Sequence, residues 1–250
     1  MSSVLLRARE AFAALVAQER LAALPIRIST RALSTEEAIG KPHYDDLPIL
    51  RGKEVMIEAE FEGARGHAFT SAPAPWEGTL QDLLALPPDS EARRAILAAA
   101  MNAVLRSLGR IGRTVHCRDQ DIERCGQEMA AQLRREFGAI AVGQVGYQPG
   151  LLAGLVRHFG PDRLRVTDLA YENMGREVEG VCIWDGDTRT EDLVRSSGLV
   201  LATGSVAANG TLDDILRLAR ASGVPLILYG VTAAAICHLC EIRRLCLAAT

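Results

Sequence analysis

The stretch AIAVGQVGYQPGLLAGLV, residues 139–156, runs from apolar residues through a glycine-studded turn into an apolar helical pattern. Its glycines fall at 143, 146, 150 and 154, which is not the G-x-G-x-x-G spacing that grips a pyrophosphate. Gly143 and Gly146 let backbone approach a ligand closely. Pro149 suits the first position of a helix, and it removes one N–H that would hold a phosphate. Asp168 follows Gly146 by 22 residues, close to the spacing at which an acidic side chain accepts hydrogen bonds from ribose hydroxyls. Capping the turn DLAYENMG is the other role open to it. These features suit a nucleoside ligand with no diphosphate. S-adenosylmethionine is such a ligand: adenosine, a sulfonium and an amino-acid tail.

Further candidates cluster behind the predicted strands. Thr203, Gly204 and Ser205 would emerge at the same sheet edge as the glycine turn, where hydroxyls and amides can hold an adenine edge or the amino-acid tail. Asn209 joins them as a binding candidate. Thr211, with Asp214 three residues on, reads as a variant capping box. Tyr147, Tyr171 and Tyr229 can stack on adenine or face a sulfonium, and Asn173 can bind. Glu172 and His116 are candidate bases, and Tyr147 and Tyr229 stand with them as catalytic candidates. An exposed loop position or a helix cap would explain several of these equally well.

The expectation for a resident metal is none. The alternative ligands are Cys117, Cys125, Cys237 and Cys240, with His116 and His238 beside them. Soft thiolates would favour zinc or copper. The Cys117–Cys125 spacing is not a recognised zinc pattern, and Cys237-x2-Cys240 lacks a second such pair.

The elements that must position these residues follow two rhythms. Residues 4–24 read as an amphipathic helix, 25–33 and 54–63 as strands, and 66–73 as a partner for the second strand. A proline-rich turn at 72–80 leads into helices 79–86 and 87–109, the latter capped by Ser90 with Arg93 and Arg94 facing outward. Strands followed by helices give an α+β first half. After residue 120, helices at 121–136, 149–158, 190–195, 211–221 and 232–240 alternate with strands at 139–145, 163–168, 198–202 and 224–229. The segments 181–187 and 243–249 are further strand candidates. That alternation predicts a parallel sheet with crossover helices.

Composition narrows the classes. The 250 residues carry a net charge of −3, so there is no general electrostatic attraction to nucleic acid or an anionic membrane. No stretch approaches 18 uninterrupted apolar residues, and the opening MSSVLLRAREAFAAL is too broken by charge for a secretory leader. The expectation is a cytoplasmic protein with reduced cysteines, acting on a small molecule, with a homo-oligomer possible. Only Lys41 and Lys53 are lysines. There is no P-loop, and neither lysine lies in the glycine-rich half to form a Schiff base, so pyridoxal phosphate is not expected.

At NAVLRSLGRIGRTVHCRDQDIERCGQEMA (102–130), GYQPGLLAGL (146–155), VTDLAYENMG (166–175) and ATGSVAANGTLDDIL (202–216) the chain resembles the domain-of-unknown-function family labelled putative heavy-metal chelation. The resemblance implies an α/β protein: an enolase-N-terminal-like α+β domain, here 1–112, then a Rossmann-like domain with a mostly parallel sheet, here 113–250. It also implies a site in the cleft between them, which the first domain could close against water.

The functional expectation is an enzyme that cleaves the C–S bond of S-adenosylmethionine without pyridoxal phosphate. Such a lyase or cyclase would release methylthioadenosine and could form 1-aminocyclopropane-1-carboxylate. Methyl transfer, metal handling and silent ligand binding are the alternatives.

Overall fold

The computed structural model describes residues 3–21, 27–51 and 54–250. Residues 22–26 of two predicted elements, and Lys53, lie outside them. Helix α1 (Val4–Gln18) starts at Ser3, whose side chain accepts from the Leu6 amide. Four antiparallel strands follow: β1 (Arg27–Ala32), β2 (Val55–Phe61), β3 (Ala64–Thr70) and β4 (Trp76–Thr79), in spatial order β3-β2-β1-β4. Glu62 and Gly63, both with positive φ, close the β2–β3 hairpin, as two-residue hairpin turns require. The proline-rich segment thus holds a strand, β4, that the sequence reading treats as a turn.

Short helices α2 (Thr35–Ile39) and α3 (Leu80–Ala85) each begin with a capping box. Helix α4 (Glu91–Ser107) begins at Ser90, whose hydroxyl accepts from the Arg93 amide as expected. Arg93 pairs with Asp89 outside. Arg94, expected to face outward, instead reaches across to donate to the Ala208 carbonyl at 2.7 Å.

Residues Ala95 to Leu105 of α4 are all buried. A helix that is apolar all round needs cover on every side. This one packs on β2 and β3 and also against helices of the second half. One continuous core therefore runs from Phe12 and Phe61 through α4 to Val200 and Ile236.

The second half begins with α5 (Asp121–Phe137), then alternates β5 (Val142–Val145), α6 (Pro149–Phe159) and β6 (Leu164–Asp168). A short antiparallel hairpin, β7 (Glu177–Val178) with β8 (Val181–Asp185), comes next. It is followed by α7 (Gly186–Arg195), β9 (Leu199–Thr203), α8 (Val206–Asn209), α9 (Leu212–Ala221), β10 (Leu226–Tyr229), α10 (Ala234–Leu239) and β11 (Arg244–Leu245). The sheet order is β11-β10-β9-β5-β6-β8-β7, parallel except at β7. Numbered within this half and leaving β7 aside, that is 3-2-1-4-5-6, the doubly wound order, with the switch point between β5 and β9. The expected α+β first half and mostly parallel second sheet are both present.

The predicted helix 211–221 is present as α9; a short helix absent from the sequence reading, α8, precedes it, and Gly210 with φ +91° separates the two. Thr211 makes no side-chain cap; its hydroxyl donates to Asn209 Oδ1 at 2.8 Å. Among the described residues no helix is long and apolar enough to cross a membrane.

Candidate functional site

A cavity of about 520 Å³ opens at the carboxyl ends of β5, β6 and β9, between the parallel sheet and the first half of the chain. That is where ligands sit in doubly wound sheets. Its walls include Glu54 and Phe69 on one side, and Gly146, Asp168, Thr203 and Tyr229 on the other.

The glycine turn is held tightly. Gly146 has φ +85°, and an added Cβ would meet the Thr203 side chain. Its N–H donates to the Thr167 carbonyl at 2.8 Å, and its carbonyl accepts from Tyr229 Oη at 2.7 Å. Helix α6 opens with Pro149, which has no N–H, and the Gln148 side chain caps the Leu151 amide. The helix end that would cradle a diphosphate is therefore already closed, as the sequence implies.

Gly143 does not face the cleft. It lies within β5, where a Cβ would run into Leu193 and Ser197 of the crossover after β8. It permits packing and is absent from the lining. Gly150 and Gly154 serve packing too: with Gly126 they bring the backbones of α5 and α6 together.

Asp168 lines the cleft but already has partners. Oδ2 accepts from the Tyr147 amide at 2.6 Å, while Oδ1 accepts from the Ala170 amide at 2.8 Å and Asn173 Nδ2 at 3.2 Å. Both roles predicted for it are compatible with this. It caps its turn, and an ionised carboxylate offers about four acceptor sites, so one on Oδ2 faces no described donor.

Asn173 is buried and accepts from Arg51 at 3.1 Å and Arg176 at 2.9 Å. The Tyr147 hydroxyl donates to Asp46 at 2.6 Å, and its ring faces the Arg176 guanidinium at 5.8 Å. Burial, and the bond to Asp46, raise the Tyr147 hydroxyl above the ordinary tyrosine range. Burial does the same for Tyr229, helped by the Asp168 charge. Both phenols are thus donors already in use. Tyr171 is 84% exposed and forms no part of the wall. Glu172 lines the cleft and has a partner.

Behind β9, Thr203 Oγ1 lies 3.1 Å from Ser205 Oγ, and both residues line the cleft. The Gly204 amide is spent on the Tyr229 carbonyl at 2.7 Å, and a Cβ there would meet the Ala233 backbone. Asn209 lines the cleft while its Oδ1 holds Thr211.

His116 and Cys117 reach the cleft from the segment before α5. His116 Nδ1 lies 2.6 Å from the Cys117 carbonyl. A carbonyl only accepts, so Nδ1 carries the proton and Nε2 the lone pair. Burial lowers the His116 pKa to about 4. Because the folded value lies below the ordinary 6.5, the unfolded chain takes up a proton first. Stability from this group is complete above pH 6.5 and declines as pH falls toward 4. The decline should reach about 3 kcal/mol at most; urea titrations of wild type and His116→Gln across pH 4–7 should show a shallower slope for the variant.

Cys117, Cys125 and Cys246 converge. The Cys125 sulfur accepts hydrogen bonds from both other thiols and from the Leu247 and Ala248 amides, which holds it well below the ordinary thiol range. Its two donors are pushed up in consequence, with burial adding to the effect. Cys237 and Cys240 sit apart: Cys237 is in the core shared with α4, and Cys240 Sγ contacts the Val4 carbonyl at 3.6 Å. Among the described residues no group of three or more His, Cys, Asp or Glu has the arrangement to hold a metal ion.

Among the wall residues that the sequence reading does not single out, three bear on the chemistry. Cys246 was visible as the last cysteine of CHLCEIRRLC but unpaired in any spacing. Thr167, just before Asp168, is buried with an Oγ1 that finds no partner among the described residues. Glu54 opens β2 and is half-buried in the cleft; burial, with the charges of Asp168 and Glu91, raises its carboxyl to about 7.

Comparison with known proteins agrees with the expected resemblance. Residues 130–243 match the DUF364 family, described as "Putative heavy-metal chelation". That stretch spans most of the parallel-sheet half, while Glu54, His116 and Cys117 lie outside it. Two crystal structures of proteins with unknown function from the DUF364 family are similar in fold. One, from Pyrococcus horikoshii, is 15% identical, with 93% of this chain and 80% of that chain covered and a TM-score of 0.54. The other, from Desulfitobacterium hafniense DCB-2, is 17% identical, with 74% and 72% covered and a TM-score of 0.50. No curated protein matches.

Proposed function

We propose that the cleft binds S-adenosylmethionine and that the protein is a lyase that cleaves its C–S bond without pyridoxal phosphate. Release of methylthioadenosine with closure of 1-aminocyclopropane-1-carboxylate is the reaction this reading favours. The observation that carries it is the closed start of α6 beside the carboxylate ending β6. A proline and a self-capped amide stand where a diphosphate would need donors, whereas Asp168 keeps an acceptor site for a ribose hydroxyl.

The size also suits the ligand, since 520 Å³ falls within the usual range for small-molecule sites. Thr203 and Ser205 offer hydroxyls to the amino-acid tail.

Calorimetry with S-adenosylmethionine, followed by mass spectrometry for methylthioadenosine, tests the reading. Saturable micromolar binding with methylthioadenosine formation supports it. S-adenosylhomocysteine as the product would instead make the protein a methyltransferase. Absence of binding, with one zinc per chain in the purified protein, would favour the chelation named in the family description. Asp168→Ala should weaken binding by about 1–2 kcal/mol, five- to thirty-fold. Unchanged affinity would remove Asp168 from the site.

A further inference from the structure

Among the described residues, most titratable groups buried in the cleft wall are already engaged. Asp168 accepts three hydrogen bonds. The Tyr147 and Tyr229 hydroxyls are donated to Asp46 and to the Gly146 carbonyl. His116 retains a lone pair, but its low basicity makes it a poor proton acceptor. Glu172 has a partner. Asp187, Glu191 and Asp214 are exposed at the rim. Glu54 is half-buried in the wall, and among the described residues no hydrogen-bond donor reaches it.

We propose that Glu54 is the general base of the cleft, taking the α-hydrogen of bound S-adenosylmethionine; this rests on the reading above. The electron pair of the Cα–H bond forms a Cα–Cγ bond as the Cγ–S bond breaks. The pair from the broken bond stays on sulfur, which leaves as neutral methylthioadenosine. The proton sits on the Glu54 carboxyl and passes to water on release. Atoms and charge balance with no further reactant.

The charges of Asp168 at the end of β6 and Glu91 in the first turn of α4 act on Glu54, and the Glu54 charge acts in turn on Tyr229 of β10. Glu91 is held by Thr70 and Ser71 and is not itself available. Two negative neighbours and a half-buried position make ionised Glu54 a stronger base than an exposed carboxylate, poised near neutrality.

The test compares wild type with Glu54→Gln. Gln copies the protonated form, so S-adenosylmethionine affinity should stay within about threefold while methylthioadenosine release falls at least 100-fold, an order expected for loss of a base. The wild-type rate should rise with pH to a plateau above about 7. Folding gives a readout independent of turnover. A carboxyl raised by burial costs stability as pH climbs from 4.5 through 7, so the Tm of Glu54→Gln should gain on wild type between pH 5 and pH 8.

If Glu54→Gln turns over at the wild-type rate, or its Tm advantage does not change with pH, Glu54 is not the base even though the lyase reading stands. If the wild type binds no S-adenosylmethionine, that reading and this step fall together.

Discussion

Replacing Asn102 with alanine is expected to remove about 3–5 kcal/mol of stability. Asn102 is the one strongly polar side chain in the buried stretch of α4, and it is fully buried. Its Nδ2 donates to the carbonyls of His67 at 3.0 Å, Val231 at 3.0 Å and Thr232 at 3.2 Å. Its Oδ1 accepts from the Ala235 amide at 2.7 Å. One amide thus ties β3, the loop after β10 and the start of α10. Alanine would strand those backbone groups away from water, and each stranded group costs more than a formed bond gains. Asn102→Asp should do no better, because a carboxylate there would face three carbonyl oxygens. Urea unfolding should show a lower midpoint at unchanged m for both variants; a midpoint within 0.5 kcal/mol of wild type would show that the network carries little of the stability.

The second large effect is expected at Gly126. An alanine Cβ there would lie under 3.0 Å from the carbonyl group of Gly150 and the Leu151 amide, and one at Gly154 would strike the Gly126 carbonyl. Backbone cannot swing aside as a flexible side chain can, so α5 and α6 must separate. We expect Gly126→Ala to cost about 3 kcal/mol, the upper end of overpacking, despite alanine's better helix propensity. Because α6 carries the Gln148–Pro149 end of the cleft, ligand affinity should fall with it. Gly112→Ala, with nothing within 4 Å, is the control and should stay within about 0.5 kcal/mol. Equal stability of the two variants would refute the close-contact account.

The alternation of strands and helices after residue 120 was readable because each crossover carries its own local pattern. So was the anion-poor start of α6, since proline's missing donor is a property of one residue. The roles of Gly143, Gly150 and Gly154 were not readable. Sequence shows only that a glycine is permitted; Leu193, Ser197 and Gly126, distant in the chain, decide what it permits. Arg94 looked like a solvated helix charge until a carbonyl from α8 appeared beside it. Glu54 at the head of a strand has the appearance of an edge charge, and only the fold brings the Asp168 and Glu91 charges near it and half-buries it. Cys246 has the same explanation: its neighbours, Cys117 and Cys125, come from the segment before α5 and from α5, more than 100 residues away in the chain.

Helix α4 lies in the interior on both of its sides, so the two walls of the cleft are cast as one piece. Swinging one wall away from the other would tear open the apolar seam around Ala95–Leu105 and the Asn102 tie along with it. A hinge between the two walls would therefore cost the burial of that seam.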